Sequence, residues 1–196
     1  MYSGISIEEF RKLRKENDGN KVVFIGRLMK YKGVDRLIES FSLVSKDLPD
    51  TELHIIGSGP EFKTLVNLAE RCGIKSKVKF YGWLNRSEVL NLLASSSILV
   101  HPNVYESFCY SIVEAYALGK PVIAHRASYS MELVNGMDAG VTVNTFNRRA
   151  LADSIVALLS DASLYKRLSK GHCGPQNKIS ALSRWPKGTL RYTRRL

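Results

Sequence analysis

At 196 residues, 44% hydrophobic and 24% charged, the chain has the composition of a globular protein with one domain of ordinary size. No apolar run approaches the roughly 20 residues of a membrane span, and the N-terminus lacks the apolar core of a signal peptide. With Cys72, Cys109 and Cys173 read as reduced thiols, a cytoplasmic protein is expected. The net charge of +11 belongs to one end: from Ala162 onward there are nine Lys or Arg and no Asp or Glu. Residues 1–161 are left near neutrality, which weighs against a nucleic-acid face on the body.

In chain order, Val22-Val-Phe-Ile-Gly26 predicts a short buried strand. A helix from Val34 to Ser45 follows, with Leu37, Ile38, Phe41 and Val44 on one face. Glu52 to Ile56 predicts the second strand, and Pro60 stands where the first turn of the next helix is expected. Lys77 to Tyr81 alternates as a strand, and Ser87 to Ala94 reads as a helix capped by Asn85. Ser97 to His101 is a buried strand, Ser111 to Leu118 an apolar helix, and Pro121 to Ala124 the next strand. A short helix near Met131, a strand at Val141 to Val143, and helices over Arg148 to Ser160 and Leu164 to Lys170 complete the body. This alternation predicts an α/β fold: a doubly wound, Rossmann-like parallel sheet with helices on both faces. Ligands of such sheets sit at the carboxyl ends of the strands. Residues 1–20 read as a linker-like segment, 21–171 as the domain, and 172–196 as a basic, poorly ordered tail.

Four places carry candidate chemistry. Gly26-Arg-Leu-Met-Lys-Tyr-Lys-Gly33 brings Arg27 and Lys32 to a loop before a helix, which suits a diphosphate but also suits a solvated loop. Gly57-Ser-Gly-Pro60 is a tight turn and departs from the dinucleotide fingerprint at Phe62; turn chemistry accounts for it, and close approach of a ligand would too. Glu106-Ser-Phe-Cys-Tyr-Ser-Ile-Val-Glu114 places two carboxylates eight positions apart around a helix start. There Glu114 also fits a capping box with Ser111, with Ser107 as an alternative cap. His101 at its strand end reads as a structural histidine or a base, and Cys109 near a helix start as a candidate reactive thiol. No Cys/His pair has a local spacing that supports thiol catalysis, and metal-ligand spacings are absent.

Taken in order, these segments resemble the C-terminal domain of retaining glycosyltransferases of the GT-B fold, group 1 (family 4). The likeness runs from about Tyr2 to Gly171 and includes Gly26-Arg27-Leu28 with Lys32-Gly33, and Gly57 to Pro60. It also includes Val78 to Gly82, Glu106 to Glu114, and Ala115 to Val122. The resemblance implies a donor-binding domain that takes a UDP-, GDP- or ADP-linked sugar, transfers a hexose with retention, and needs no metal or other cofactor. By the same resemblance Arg27 and Lys32 clamp the diphosphate and stabilise the leaving group, and Glu106 binds hydroxyls of the sugar. Backbone N–H groups of Phe108, Cys109 and Tyr110, beside Ser107, meet phosphate or sugar. Glu114 holds the ribose, and Gly57 and Gly82 border the nucleotide, Gly82 near the base.

This sequence departs from the family in having Cys109 where many members have glycine, and Ala127-Ser128 in place of a Gly-Gly pair ahead of Glu132. The family enzyme also has a second, N-terminal domain that binds a glycan or lipid-linked acceptor, so this chain is expected to be inactive alone. No nucleic-acid partner is expected; contact with a membrane surface through the basic tail is left open. Two alternatives stay open as well: a natural half-enzyme that needs a partner subunit, and a non-enzymatic nucleotide or nucleic-acid module that uses the tail.

Overall fold

The computed structural model describes residues 10, 12–15, 20–105, 109–128 and 130–170. Six parallel strands form one sheet in the order β3-β2-β1-β4-β5-β6. They are β1 (Lys21–Ile25), β2 (Glu52–Ile56), β3 (Val78–Gly82), β4 (Ile98–His101), β5 (Val122–His125) and β6 (Gly140–Val143). The crossovers contain α1 (Val34–Asp47), α2 (Phe62–Arg71), α3 (Arg86–Ala94), α4 (Tyr110–Ala117) and α5 (Ser130–Met137). After β6 come α6 (Arg148–Ser160) and α7 (Ala162–Lys170). This is the doubly wound α/β architecture expected from the sequence.

The strands are near-continuous apolar runs because both sheet faces are covered, and side-chain alternation decides which face each residue serves. Val22, Phe24, Leu53, Ile55, Ile98 and Val100 point to one face, where α1, α2, α6 and α7 pack. Val23, Ile56, Leu99, Val122 and Ala124 point to the other, under α3, α4 and α5. The stripe Leu37, Ile38, Phe41 and Val44 of α1 is fully buried. The start of α6 is tied to the middle of α1 by Arg148, which meets Glu39 at 2.9 Å. Phe10 is buried in the second face and Arg14 donates to the Ala117 carbonyl at 3.1 Å. The described part of the linker-like segment is therefore docked against α4. The tail beyond Lys170 lies outside the described residues.

Several boundaries differ from the sequence expectation. Pro60 lies in a turn and α2 begins two residues later, with Glu61 as its cap. Lys77 closes a 3-10 turn over Lys75–Lys77, so β3 starts at Val78. Asn85 caps α3 as expected and does so within a full capping box: its side chain accepts from the Glu88 N–H, and Glu88 accepts from the Asn85 N–H. The capping box expected at Ser111 and Glu114 is not formed. Cys109 is the N-cap of α4, which places Ser111 second and Glu114 fifth in the helix, so neither stands at the N-cap or N3 position that a capping box needs.

Candidate functional site at the carboxyl edge of the sheet

Strand order reverses between β1, whose neighbours are β2 and β4, and the loops that follow these strands meet at that point. The loop after β1 is laced to its neighbour by backbone bonds: Gly26 N–H to the Ile56 carbonyl, Leu28 N–H to Ser58, and Glu61 N–H back to Leu28. Gly57 N–H donates to the Gly82 carbonyl at 2.8 Å, joining the third loop to the second. A Cβ on Gly57 would collide with the Gly26 carbonyl, and one on Gly59 with the Leu28 carbonyl. The glycines of Gly57-Ser-Gly-Pro60 thus have a reason beyond turn conformation: the protein's own loops cross there at backbone contact distance.

Arg27 is exposed in this edge and has no ion pair among the described residues. Lys32 ends a 3-10 turn, is buried, and places its ammonium 5.3 Å from the Tyr31 ring centroid. Gly33, with φ of +72°, reverses the chain into α1. From the first turn of α1, Arg36 donates to the Pro102 carbonyl at 2.9 Å and stacks on Phe146 at 4.3 Å, joining the ends of β1, β4 and β6. Thr145 completes this junction. Its hydroxyl donates to the Pro102 carbonyl and lies 2.8 Å from Nδ1 of His125, whose charged form burial disfavours.

The loop after β4 starts with Asn103, which is fully buried and bonded through its side chain to both the N–H and the carbonyl of Tyr105. Glu106, Ser107 and Phe108 lie outside the described residues. The chain resumes at Cys109, buried, with Sγ 3.4 Å from Nδ1 of His101 and 3.1 Å from Oγ of Ser111. Their spacing along the chain, eight residues, does not suggest a pair; the strand end and the helix start bring the two together. Tyr110, the first residue of α4, is partly exposed. No described side chain caps α4, whose N-terminus stands at the carboxyl end of β4.

Glu114 is the residue whose surroundings differ most from expectation. Its side chain is only 12% exposed and pairs with Arg86, the first residue of α3, at 3.0 Å. Burial raises its pKa above the ordinary carboxylate range, and the Arg86 guanidinium opposes that rise. The pattern of residue types did not single out Arg86. The signal available was the Asn85 cap, which fixes residue 86 at the helix start after β3, on the same sheet edge as Glu114.

Of the sequence-predicted residues, Arg27, Lys32, Gly57, Gly82, Cys109, Tyr110 and Glu114 therefore lie on or directly after β1 to β4 at one edge. Where the family pair of glycines was expected, Ser128 is buried and its hydroxyl donates to the His125 carbonyl, holding the turn after β5. Among the described residues no group of three His, Cys, Asp or Glu side chains could hold a metal ion, and no helix is long and apolar enough to cross a membrane.

The family described as "Glycosyl transferases group 1" matches residues 6–172. An uncharacterized glycosyltransferase of Methanocaldococcus jannaschii is 29% identical over 82% of this chain and 44% of its own length. Among solved structures, Anabaena HepE in complex with UDP and glucose is 26% identical with a TM-score of 0.71, covering 85% of this chain and 45% of HepE. The C-terminal domain of LpcC, a group 1 family protein of Francisella tularensis, is 23% identical, also with a TM-score of 0.71. It covers 85% of this chain and 87% of that domain, and its likeness concerns the fold. The chain spans less than half the length of the curated relatives it matches.

Proposed function

The chain belongs to the group 1 glycosyltransferases, and from that premise we propose that it is the domain that binds the nucleotide-sugar donor of a retaining enzyme. The observation that carries this reading is the arrangement of unlike groups on one edge of the sheet. Cations follow β1, the N-terminus of α4 stands at the carboxyl end of β4, and a buried carboxylate stands one helical turn further along α4. Those are the complements of a diphosphate and of a ribose diol.

On this reading Arg27 and Lys32 meet the diphosphate and stabilise the negative charge that grows on the leaving group as the glycosidic bond breaks. N–H groups at Cys109 and Tyr110 point toward the same anion, Glu114 accepts from the ribose hydroxyls, and Gly57 and Gly82 line the nucleotide's path. Glu106, with Ser107 and Phe108, is assigned to the transferred hexose on the strength of the family pattern. HepE, crystallised with UDP and glucose, is a relative consistent with such a donor. The acceptor, a glycan or lipid-linked sugar, belongs on this reading to the remaining part of the longer relatives, and the chain alone binds donor without turnover.

Ligand-induced stabilisation tests the assignment. Whichever of UDP, GDP and ADP is the cognate diphosphate should, at about 100 times its Kd, stabilise the fold by about 2.7 kcal/mol. For a domain of this size that raises Tm by roughly 5–10 °C. Glu114→Ala and Lys32→Met should abolish the shift. No shift with any of the three at millimolar concentration would show that the binding assignment is wrong.

A further inference from the structure

Among the described residues, Arg86 is the one charged group that acts on Glu114; His101 on β4 and His125 on β5, the titratable groups of the strands beneath α4, do not. Its own position is fixed from behind. Asn85 and Glu88 exchange capping bonds of 3.0 and 2.9 Å around the first turn of α3, so Arg86 leaves the helix at a defined point. Arg86 remains 57% exposed, whereas the Glu114 side chain it meets is 12% exposed. The ion pair is asymmetric: a solvated cation contacts one oxygen, Oε1, of a desolvated acid.

A desolvated carboxyl with no cation beside it takes up a proton, and a protonated carboxyl has lost acceptor capacity toward two adjacent hydroxyls. We propose that Arg86 is a positioning residue of the donor site, which holds Glu114 charged and oriented through Oε1 so that Oε2 is presented to the ribose diol. The proposal rests on the donor-binding reading above and adds to it a residue outside the set of contacts named there. Arg86 acts through Glu114 and not on the diphosphate. Its loss therefore makes nucleotide binding pH-dependent without weakening binding to the diphosphate moiety.

Calorimetric titration of the full chain with UDP, GDP and ADP between pH 5.5 and 8 tests this. Wild type should bind one of them with a pH dependence that follows the ionisation of the diphosphate alone. Arg86→Gln should bind it nearly as well at pH 8 and about ten-fold more weakly at pH 6, because an opposite charge at this distance holds a carboxyl down by about 1–3 pH units. Arg86→Lys should restore the wild-type profile, and inorganic diphosphate, which has no ribose, should bind wild type and Arg86→Gln alike. A loss in Arg86→Gln of the same factor at every pH, no loss at any pH, or a parallel loss for inorganic diphosphate would overturn the proposal. A carboxyl-carbon NMR titration of Glu114 without ligand probes the ion pair independently of binding. Its midpoint should rise in Arg86→Gln, and an unchanged midpoint overturns the role of Arg86 even if the nucleotide binds. Failure of wild type to bind any nucleoside diphosphate would instead overturn the donor-binding reading itself.

Discussion

Two carboxylates, one on the sheet and one on a helix above it, stand in ion pairs of nearly the same length and behave in opposite ways. Glu52 on β2 meets Lys79 at 2.8 Å and His54 at 3.0 Å, and His54 in turn meets the Tyr81 hydroxyl at 2.9 Å. Glu114 on α4 meets Arg86 at 3.0 Å. The Glu52 pKa is lowered, chiefly by its bond to Lys79, whereas that of Glu114 is raised by burial. The difference lies in both solvent and pairing: Glu52 is 34% exposed and its two partners finish a local network across β2 and β3. Glu114 is kept in a desolvated position with a single cation, and a desolvated carboxylate needs more than one contact to offset the loss of water. A ribose diol would supply the missing contacts. The Glu52 network needs no ligand: one tautomer of His54, donating to Glu52 and accepting from Tyr81, satisfies it.

The largest expected contrast is in ligand binding. Glu114→Ala should weaken nucleoside diphosphate binding by two orders of magnitude or more, since charged hydrogen bonds of about 1.5–3 kcal/mol each are lost to two hydroxyls. Glu52→Gln, far from the loop edge in chemistry and role, should leave that affinity unchanged. Binding measured side by side for these two variants would dissolve the comparison if they fell together.

A smaller contrast appears in stability against pH. For Glu52, whose folded pKa is below the unfolded value of about 4.3, the stabilising contribution is present above that value and is lost as pH falls through the folded pKa. For Glu114, whose folded pKa lies above it, the sign is reversed: the contribution is present below about pH 4.3 and is lost as pH rises through the folded pKa. Without ligand, Glu114→Gln should therefore be as stable as wild type or slightly more so at pH 7, the gain disappearing in acid. Glu52→Gln should lose a little stability at pH 7 and less as pH falls below the unfolded value. Thermal melts of both variants at pH 7 and in acid check the signs, and a loss of stability for Glu114→Gln at pH 7 would place Glu114 with Glu52 as a structural pair.

Much of the frame was legible in the sequence because each strand is buried on both faces and so appears as an unbroken apolar run, and α1 carries its core stripe at Leu37, Ile38, Phe41 and Val44. What the sequence left unread has one cause, a local pattern that is satisfied by a different part of the chain. Ser111-Ile-Val-Glu114 has the letters of a capping box, but α4 starts at Tyr110 and carries Glu114 past the terminus to Arg86. Gly57 and Gly59 have the letters of a turn, yet their lack of a Cβ is required by the backbone of Gly26 and Leu28. Cys109 and His101 show no catalytic spacing along the chain and still meet at 3.4 Å, because a strand end and the following helix start are neighbours in this topology. Such contacts depend on where loops fold back, which periodicity does not encode.

The most direct test is calorimetric titration of the full chain and of its Glu114→Gln variant with UDP, GDP and ADP at pH 7.5. One of the three should bind wild type, and the same nucleotide should bind Glu114→Gln at least about ten-fold more weakly, as expected for loss of a charged acceptor. Equal affinity in the two proteins, or no binding to wild type, would contradict the account.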